Sequence, residues 1–271
     1  MFELLLLAIA LIGSFAAGLY DLKTSNIPDI LCILMLITGL AIHSYTGFST
    51  GDFSLLIDSL LYGGLFLLFG LIMYLSGQWG GGDGELLVAL GVLLPRVPFV
   101  KTYFPFPISF FINSFFIGAA YSIGYSIILS IKNPFVSKNF LNSIKQPLLL
   151  SVLAIFLTLS VVSFSYFKII SIIFFLFFLL ILFWKFAHAI EIGFYKRIPV
   201  SKLKVDDMLG EDIPKLKLYK KFIRGLTKEE VKKIKKTKRY IIIREGIRYG
   251  LVFPLSLLFT LLLGDIFFLL L

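Results

Sequence analysis

Cysteine and histidine are nearly absent from this chain. Its one cysteine, Cys32, lies in an apolar run, and its only histidines are His43 and His188. A lone thiol forms no intrachain disulfide, so no covalent framework is available. One thiol and two imidazoles also fall short of a four-ligand zinc site, and no metal or other cofactor is expected. Acids are scarce as well: 16 Asp and Glu stand against 26 Lys and Arg, a formal net charge of +10. Such an excess would suit nucleic acid, but no aromatic-basic platform accompanies it. In an apolar chain it fits the positive-inside bias and anionic lipid headgroups more simply. Anionic membrane lipids are therefore expected partners and nucleic acid is not; the oligomeric state is left open. No Ala-x-Ala cleavage site follows the first apolar run, which is read as a retained helix.

What the chain has is hydrophobic sequence, 58% of its 271 residues. That proportion, in runs near the length of a bilayer crossing, predicts a polytopic membrane protein. Seven apolar runs come first, at 2–20, 30–45, 55–76, 85–94, 108–131, 147–164 and 169–187. The fourth is too short to cross alone at about 1.5 Å per residue. Residues 46–54 read as a turn and 132–146 as a basic loop. From 188 to 249 the composition becomes charged, and 250–271 is apolar again. The expected fold class is all-α polytopic, about eight transmembrane helices with a small α+β cytoplasmic domain. The expected domains are a seven-span core over 1–187, a basic domain over 188–249 and a last transmembrane helix over 250–271. Within the basic domain, Thr227-Lys228-Glu229-Glu230 is a capping box opening a helix to about Lys238. Residues 240–244 suit a strand, and 201–213 a hairpin turning at Gly210.

The apolar pattern is broken by Gly80-Gly81-Gly82-Asp83-Gly84. A carboxylate beside hydrocarbon is costly, and by default it marks a functional site with a partner to be sought. Alternating the spans puts most Lys and Arg on one side, taken as cytoplasmic. The same side receives both the glycine break and Asp21, at the end of the first span. Two carboxylates meeting in a partly dry cavity share a proton, one ionised and one neutral. Such a pair can activate water and polarise an amide carbonyl. The glycines permit close backbone approach.

At these residues the chain resembles a known family. Gly80-Gly81-Gly82-Asp83 is similar to the Gly-x-Gly-Asp motif of the GxGD intramembrane aspartic proteases. The stretch Asp21-Leu22-Lys23-Thr24-Ser25-Asn26-Ile27-Pro28 resembles the first-aspartate loop of type IV prepilin peptidases, especially the archaeal prepilin and preflagellin (archaellin) peptidases. Further likeness lies in 80–91, in Phe106-Pro107-Ile108 with Phe111-Ile112-Asn113, and in Gly264-Asp265. The resemblance implies a membrane aspartic endopeptidase with Asp21 and Asp83 as the catalytic pair and Gly80, Gly82 and Gly84 in support. It implies pilin-like or archaellin precursors as partners, cut behind basic leaders at the cytoplasmic face of the cell membrane. Bacterial relatives that also methylate often carry paired Cys-x-x-Cys motifs; none is present, so no methyltransferase activity is expected. The alternative is an ion-coupled transporter using the same two acids for a cation or proton.

Lys23, Asp29, Glu85 and Asn113 are candidate substrate contacts. Acids suit a basic leader best, which also brings in Asp206, Asp207, Glu211 and Asp212. His188 and Glu191, three apart on a helix, read as a polar helix end rather than a metal site, and His43 as interfacial.

Overall fold

The computed structural model describes residues 2–164, 166–205, 207–219, 225–244 and 246–266. They group into two compact units, Met1–Ile123 with Gly246–Leu271, and Gly124–Glu245. Asp206 and residues 267–271 of the expected last span lie outside the described residues. The described residues are mostly helical, with six helices among them long and apolar enough to cross a membrane.

The first unit contains α1 (Phe2–Thr24), α2 (Asp29–Thr50), α3 (Ser54–Leu75), α4 (Gly81–Leu93), the start of α5 (Phe106–Lys132) and α10 (Val252–Leu263). Its residue placement is inverted relative to a water-soluble bundle. Small residues line the inner faces, with Ala10, Gly13, Ser14, Ala17 and Gly18 on α1 and Ser59, Gly63 and Gly70 on α3. Large apolar side chains such as Ile12, Ile37, Leu67 and Leu71 point outward. Helices in lipid gain little from burying Leu against Leu, so close backbone packing and buried hydrogen bonds hold them together.

Helix α4 shows this most plainly. Every residue from Leu86 to Leu93 is buried, among α1, α2 and α3. Gly70 of α3 meets Gly84 of α4 almost backbone to backbone, and Ser59 donates to the Val92 carbonyl at 2.8 Å. The helix runs back through the glycines to Gly81, but at about 1.5 Å per residue it is still shorter than the ~30 Å hydrocarbon layer. It is a core element enclosed by the longer helices.

Two expectations need correction here. Residues 46–50 continue α2, because Thr46 and Thr50 return their hydroxyls to the carbonyls of Ile42 and Thr46. The helix stops only at Gly51, at φ 78°. His43 is buried rather than interfacial, with Nε2 3.4 Å from the Leu93 carbonyl oxygen.

The far end of α10 is locked by buried polar groups. Asn113 donates to Thr260 Oγ1 and the Gly264 carbonyl, both at 2.9 Å, and accepts from the Ile266 amide. Asp265, fully buried, accepts from the Tyr103 amide at 2.6 Å and the Ser109 hydroxyl at 2.9 Å. Hydrogen bonds to charged groups contribute about 1.5–3 kcal/mol each, and orphaned buried partners add a further penalty. Asp265→Ala is therefore expected to lower the detergent-solubilised protein's melting temperature by several degrees, as read by thermal scanning. An unchanged melting temperature would remove this lock from the account.

The second unit holds α6 (Pro134–Ile144), α7 (Pro147–Phe164), α8 (Lys168–Gly193), α9 (Lys228–Thr237) and a three-stranded antiparallel sheet. Residues 134–144 form a helix where a loop was expected. Pro134 occupies its first turn, and the Asn133 side chain caps it by accepting from the Phe135 amide. Paired hydrogen bonds between Ser160 and Ser171 join α7 to α8. Strands β1 (Tyr195–Pro199), β2 (Met208–Leu209) and β3 (Tyr240–Arg244) are arranged with β3 central. Among the described residues of 201–213, the expected hairpin turning at Gly210 is not seen. Gly210 donates its amide to the Ile242 carbonyl, and the tight turn comes later, between Ile213 and Leu218. Thr227 and Glu230 complete the expected capping box, and Val231 and Ile234 of α9 join the small domain's core. On α8, Glu191 pairs with Arg244 at 3.4 Å, with His188 4.0 Å away.

Candidate active site

The spacing of small residues on α1 decides where Asp21 points. Ala10, Ala17 and Gly18 fall on the buried face, and Asp21 extends it into the last helical turn, where it too is buried. It therefore sits within the helix rather than in the loop after it. A negative charge at a helix C-terminus is opposed by the macrodipole, so this carboxylate needs a donor from elsewhere. The Gly250 amide supplies it, donating to Asp21 Oδ2 at 2.9 Å. Gly250 lies in the 3-10 turn Tyr249–Leu251 that leads into α10. Amides at such a helix start lack intrahelical acceptors and favour an anion. A Cβ on Gly250 would stand 2.9 Å from Asp21 Cβ and 3.2 Å from Gly18 Cα, so only glycine allows this approach.

Asp83 is the third residue of α4. Its Oδ2 accepts from the Gly80 amide at 3.2 Å, one half of a capping box. Glycine has no side chain to return the second bond. Here the negative charge lies at the favourable end of the dipole, and the residue is half-buried. Gly82 rests on Ile27, whose Cβ would be 2.8 Å from a Cβ at position 82. Trp79, just before the glycines, is buried with its ring 5.7 Å from those of Tyr249 and Phe253. The glycine turn and residues 249–253 are thus tied together, and Asp21 lies close enough to Asp83 for its charge to act on it. The structure brings together two carboxylates from 62 positions apart in sequence, each held by a backbone amide.

Residues 7–123 match the type IV leader peptidase family. The match includes Asp21 and Asp83 and stops before the second unit and α10. Over 133 residues the chain is 35% identical to a preflagellin peptidase from Methanocaldococcus jannaschii, covering 45% of this chain and 55% of that one. A preflagellin peptidase from Methanococcus maripaludis is 33% identical over 119 residues, 40% of this chain and 51% of its own. Prepilin peptidase EppA from Methanothermobacter thermautotrophicus is 31% identical over 125 residues, 41% of this chain and 32% of its own. The chain spans about half the length of the first two relatives and about a third of the last.

Within the leader-peptidase segment, the other sequence candidates separate. Asp29, in the first turn of α2, and Glu85, in that of α4, are both exposed. They lie close enough for their charges to interact, and both act on the buried Cys32 nearby. With Asp83 they form an acidic mouth. Lys23 is exposed at the end of α1. Asn113 is not part of this cluster: it sits at the Gly264 end of α10, whereas Asp21 is bonded at the Gly250 end. Gly84 serves the α3–α4 contact rather than the carboxylates.

Sequence reading missed Trp79, Arg248, Tyr249 and Gly250. Gly250 marked only the start of the last apolar run, and no local pattern links it to an aspartate 229 residues earlier.

Proposed function

We propose that this protein is a membrane-embedded aspartic endopeptidase that removes basic leaders from pilin-like or archaellin precursors at the cytoplasmic membrane face. The observation carrying this reading is the amide-held pair Asp21 and Asp83, set at one end of a bundle inside a leader-peptidase segment. The names of the relatives supply the substrate class. In this topology α4 and α10 join the six longer helices to give eight membrane elements. The lysines of α9 and the rest of the basic domain face the cytoplasm, where anionic headgroups attract them at roughly 1 kcal/mol per charge.

The chemistry needs one ionised and one protonated aspartate. The ionised one takes a proton from water as its oxygen attacks the scissile carbonyl carbon, while the protonated one donates to the carbonyl oxygen. Collapse of the tetrahedral intermediate breaks the C–N bond. The proton taken from water passes to the leaving amine, the aspartate that donated to the carbonyl oxygen recovers its proton from a hydroxyl of the intermediate, and no acyl-enzyme forms. The two acids titrate as a pair.

The test is incubation of membranes containing this chain with pilin-like and archaellin precursors. The expected result is a shortened product whose new N-terminus, read by mass spectrometry, lies just after the basic leader. Precursors left whole by membranes containing the inserted protein would overturn the reading.

The acidic mouth makes a further prediction. Asp29→Asn and Glu85→Gln are each expected to raise KM for a basic leader about fivefold with little change in kcat, since exposed charge pairs contribute up to about 1 kcal/mol. The effect should shrink at high salt and vanish for a leader whose lysines are replaced by glutamine. An equal KM rise for that neutral leader would show that these acids do not read charge.

A further inference from the structure

The segment 248–250 lies outside the matched residues 7–123, yet it touches the Asp21 region at consecutive positions. The Arg248 guanidinium donates to the Leu22 carbonyl and, at 3.0 Å, to Ser25 Oγ. The Tyr249 hydroxyl donates to the Ser114 carbonyl at 3.2 Å, and the Tyr249 ring lies against Trp79 beside the glycine turn. The Gly250 amide donates to Asp21 itself. From α5, the Tyr121 hydroxyl donates to the Arg248 carbonyl at 2.9 Å, fixing the segment from its other side.

What Arg248 grips is a strained piece of backbone. Ser25 has φ 58°, one of only two non-glycine residues at positive φ among the described residues. A serine there is strained and persists only where its surroundings over-determine it. Its amide closes onto the Asp21 carbonyl at 2.8 Å. Two residues later, Ile27 supports Gly82 below Asp83. The 22–27 segment, the end of α1 and the residues after it, therefore connects one aspartate to the floor of the other, and Arg248 clamps it on its Leu22 and Ser25 side.

We infer that Arg248 and Gly250 are positioning residues of the peptidase site, Gly250 aiming the Asp21 carboxylate and Arg248 holding the 22–27 segment that sets its distance from Asp83. This rests on the endopeptidase reading above. Gly250 acts through its amide bond to Asp21 Oδ2 and Arg248 through the backbone after Asp21, and neither is placed against substrate, so their effect should fall on turnover rather than on binding. A misplacement of about 1 Å at a catalytic group lowers rates about a hundredfold.

The experiment compares precursor cleavage by the unaltered chain, Arg248→Ala, Arg248→Lys and Gly250→Ala, each purified in detergent. Only variants matching the unaltered chain in gel-filtration profile and melting temperature are assayed. Arg248→Ala is expected to lower kcat ten- to a hundredfold at nearly constant KM. Arg248→Lys, which can still donate to the Leu22 carbonyl, should recover most of that loss, and a merely structural role would not produce this pattern. Ser25→Ala, lacking only the hydroxyl that Arg248 meets, gives a second route and should lower kcat severalfold. The inference is overturned if a folded Arg248→Ala and Ser25→Ala both turn over at the unaltered rate, or if the loss falls on KM alone. If the unaltered chain cleaves no precursor, the endopeptidase reading fails instead and this inference falls with it.

Discussion

Asp83→Asn is expected to abolish precursor cleavage, by at least about a thousandfold, while the protein still inserts and folds. General acid-base groups contribute about a hundred- to ten-thousandfold each, and a pair acting as one unit loses nearly everything with either member. Asparagine is close to isosteric and keeps a carbonyl oxygen that can accept from the Gly80 amide, so the start of α4 should persist. The same holds for Asp21→Asn, whose amide oxygen can accept from Gly250. The substitutions thus remove proton transfer with little else. Cleavage is read by gel shift of a co-expressed precursor, and folding by gel filtration in detergent. Either variant cleaving within tenfold of the unaltered chain would sink the two-aspartate mechanism. Loss of ion flux through proteoliposomes, with cleavage intact, would favour a transporter.

Gly70→Leu should have the next largest effect, and for a different physical reason. A Cβ at position 70 would lie 3.0 Å from Gly84 Cα. That atom is backbone, with no side chain to swing away, so α3 and α4 must separate. Overpacking costs about 1–3 kcal/mol, and the shift acts on the residue next to Asp83. Activity should fall about a hundredfold or more, and the melting temperature should drop with it. Gly64→Leu is the control: position 64 is exposed and meets nothing within 4 Å. It should cleave normally. Equal behaviour of the two variants would show that the Gly70–Gly84 contact does not govern the site.

Much of the membrane-embedded part could be read from sequence because its rules are one-dimensional. Apolar runs located α1, α3, α5 and α7 to within a few residues. The small residues at Gly63 and Gly70, seven apart, already mark one face of α3. The glycine run singled out Asp83, the alternation of spans put Asp21 on the same side, and the family resemblance named the chemistry. What stayed hidden depended on distant partners. Asp21 was read as a loop residue, because nothing local says that a helix can continue through an acid whose charge is met by Gly250. Strand β1, Tyr195-Lys196-Arg197-Ile198-Pro199, is too charged to stand out, and it is a strand because β3 gives it partners. Asn113 and Asp265 take their roles from partners more than 150 residues away, Gly264 for the first and Ser109 for the second. Motif likeness near Asn113 suggested a substrate contact, whereas its observed partners are Thr260, Gly264 and Ile266.

The hydrogen bond from Gly250 to Asp21 also sets a schedule for biogenesis. At synthesis rates of about 5–20 residues per second, the 229 residues between them take about ten to fifty seconds to emerge. Once Asp83 has followed Asp21, the nascent chain holds both aspartates but not the segment that aims one of them. Until residues 248–250 arrive, the candidate site has its two carboxylates but lacks the amide that orients one of them.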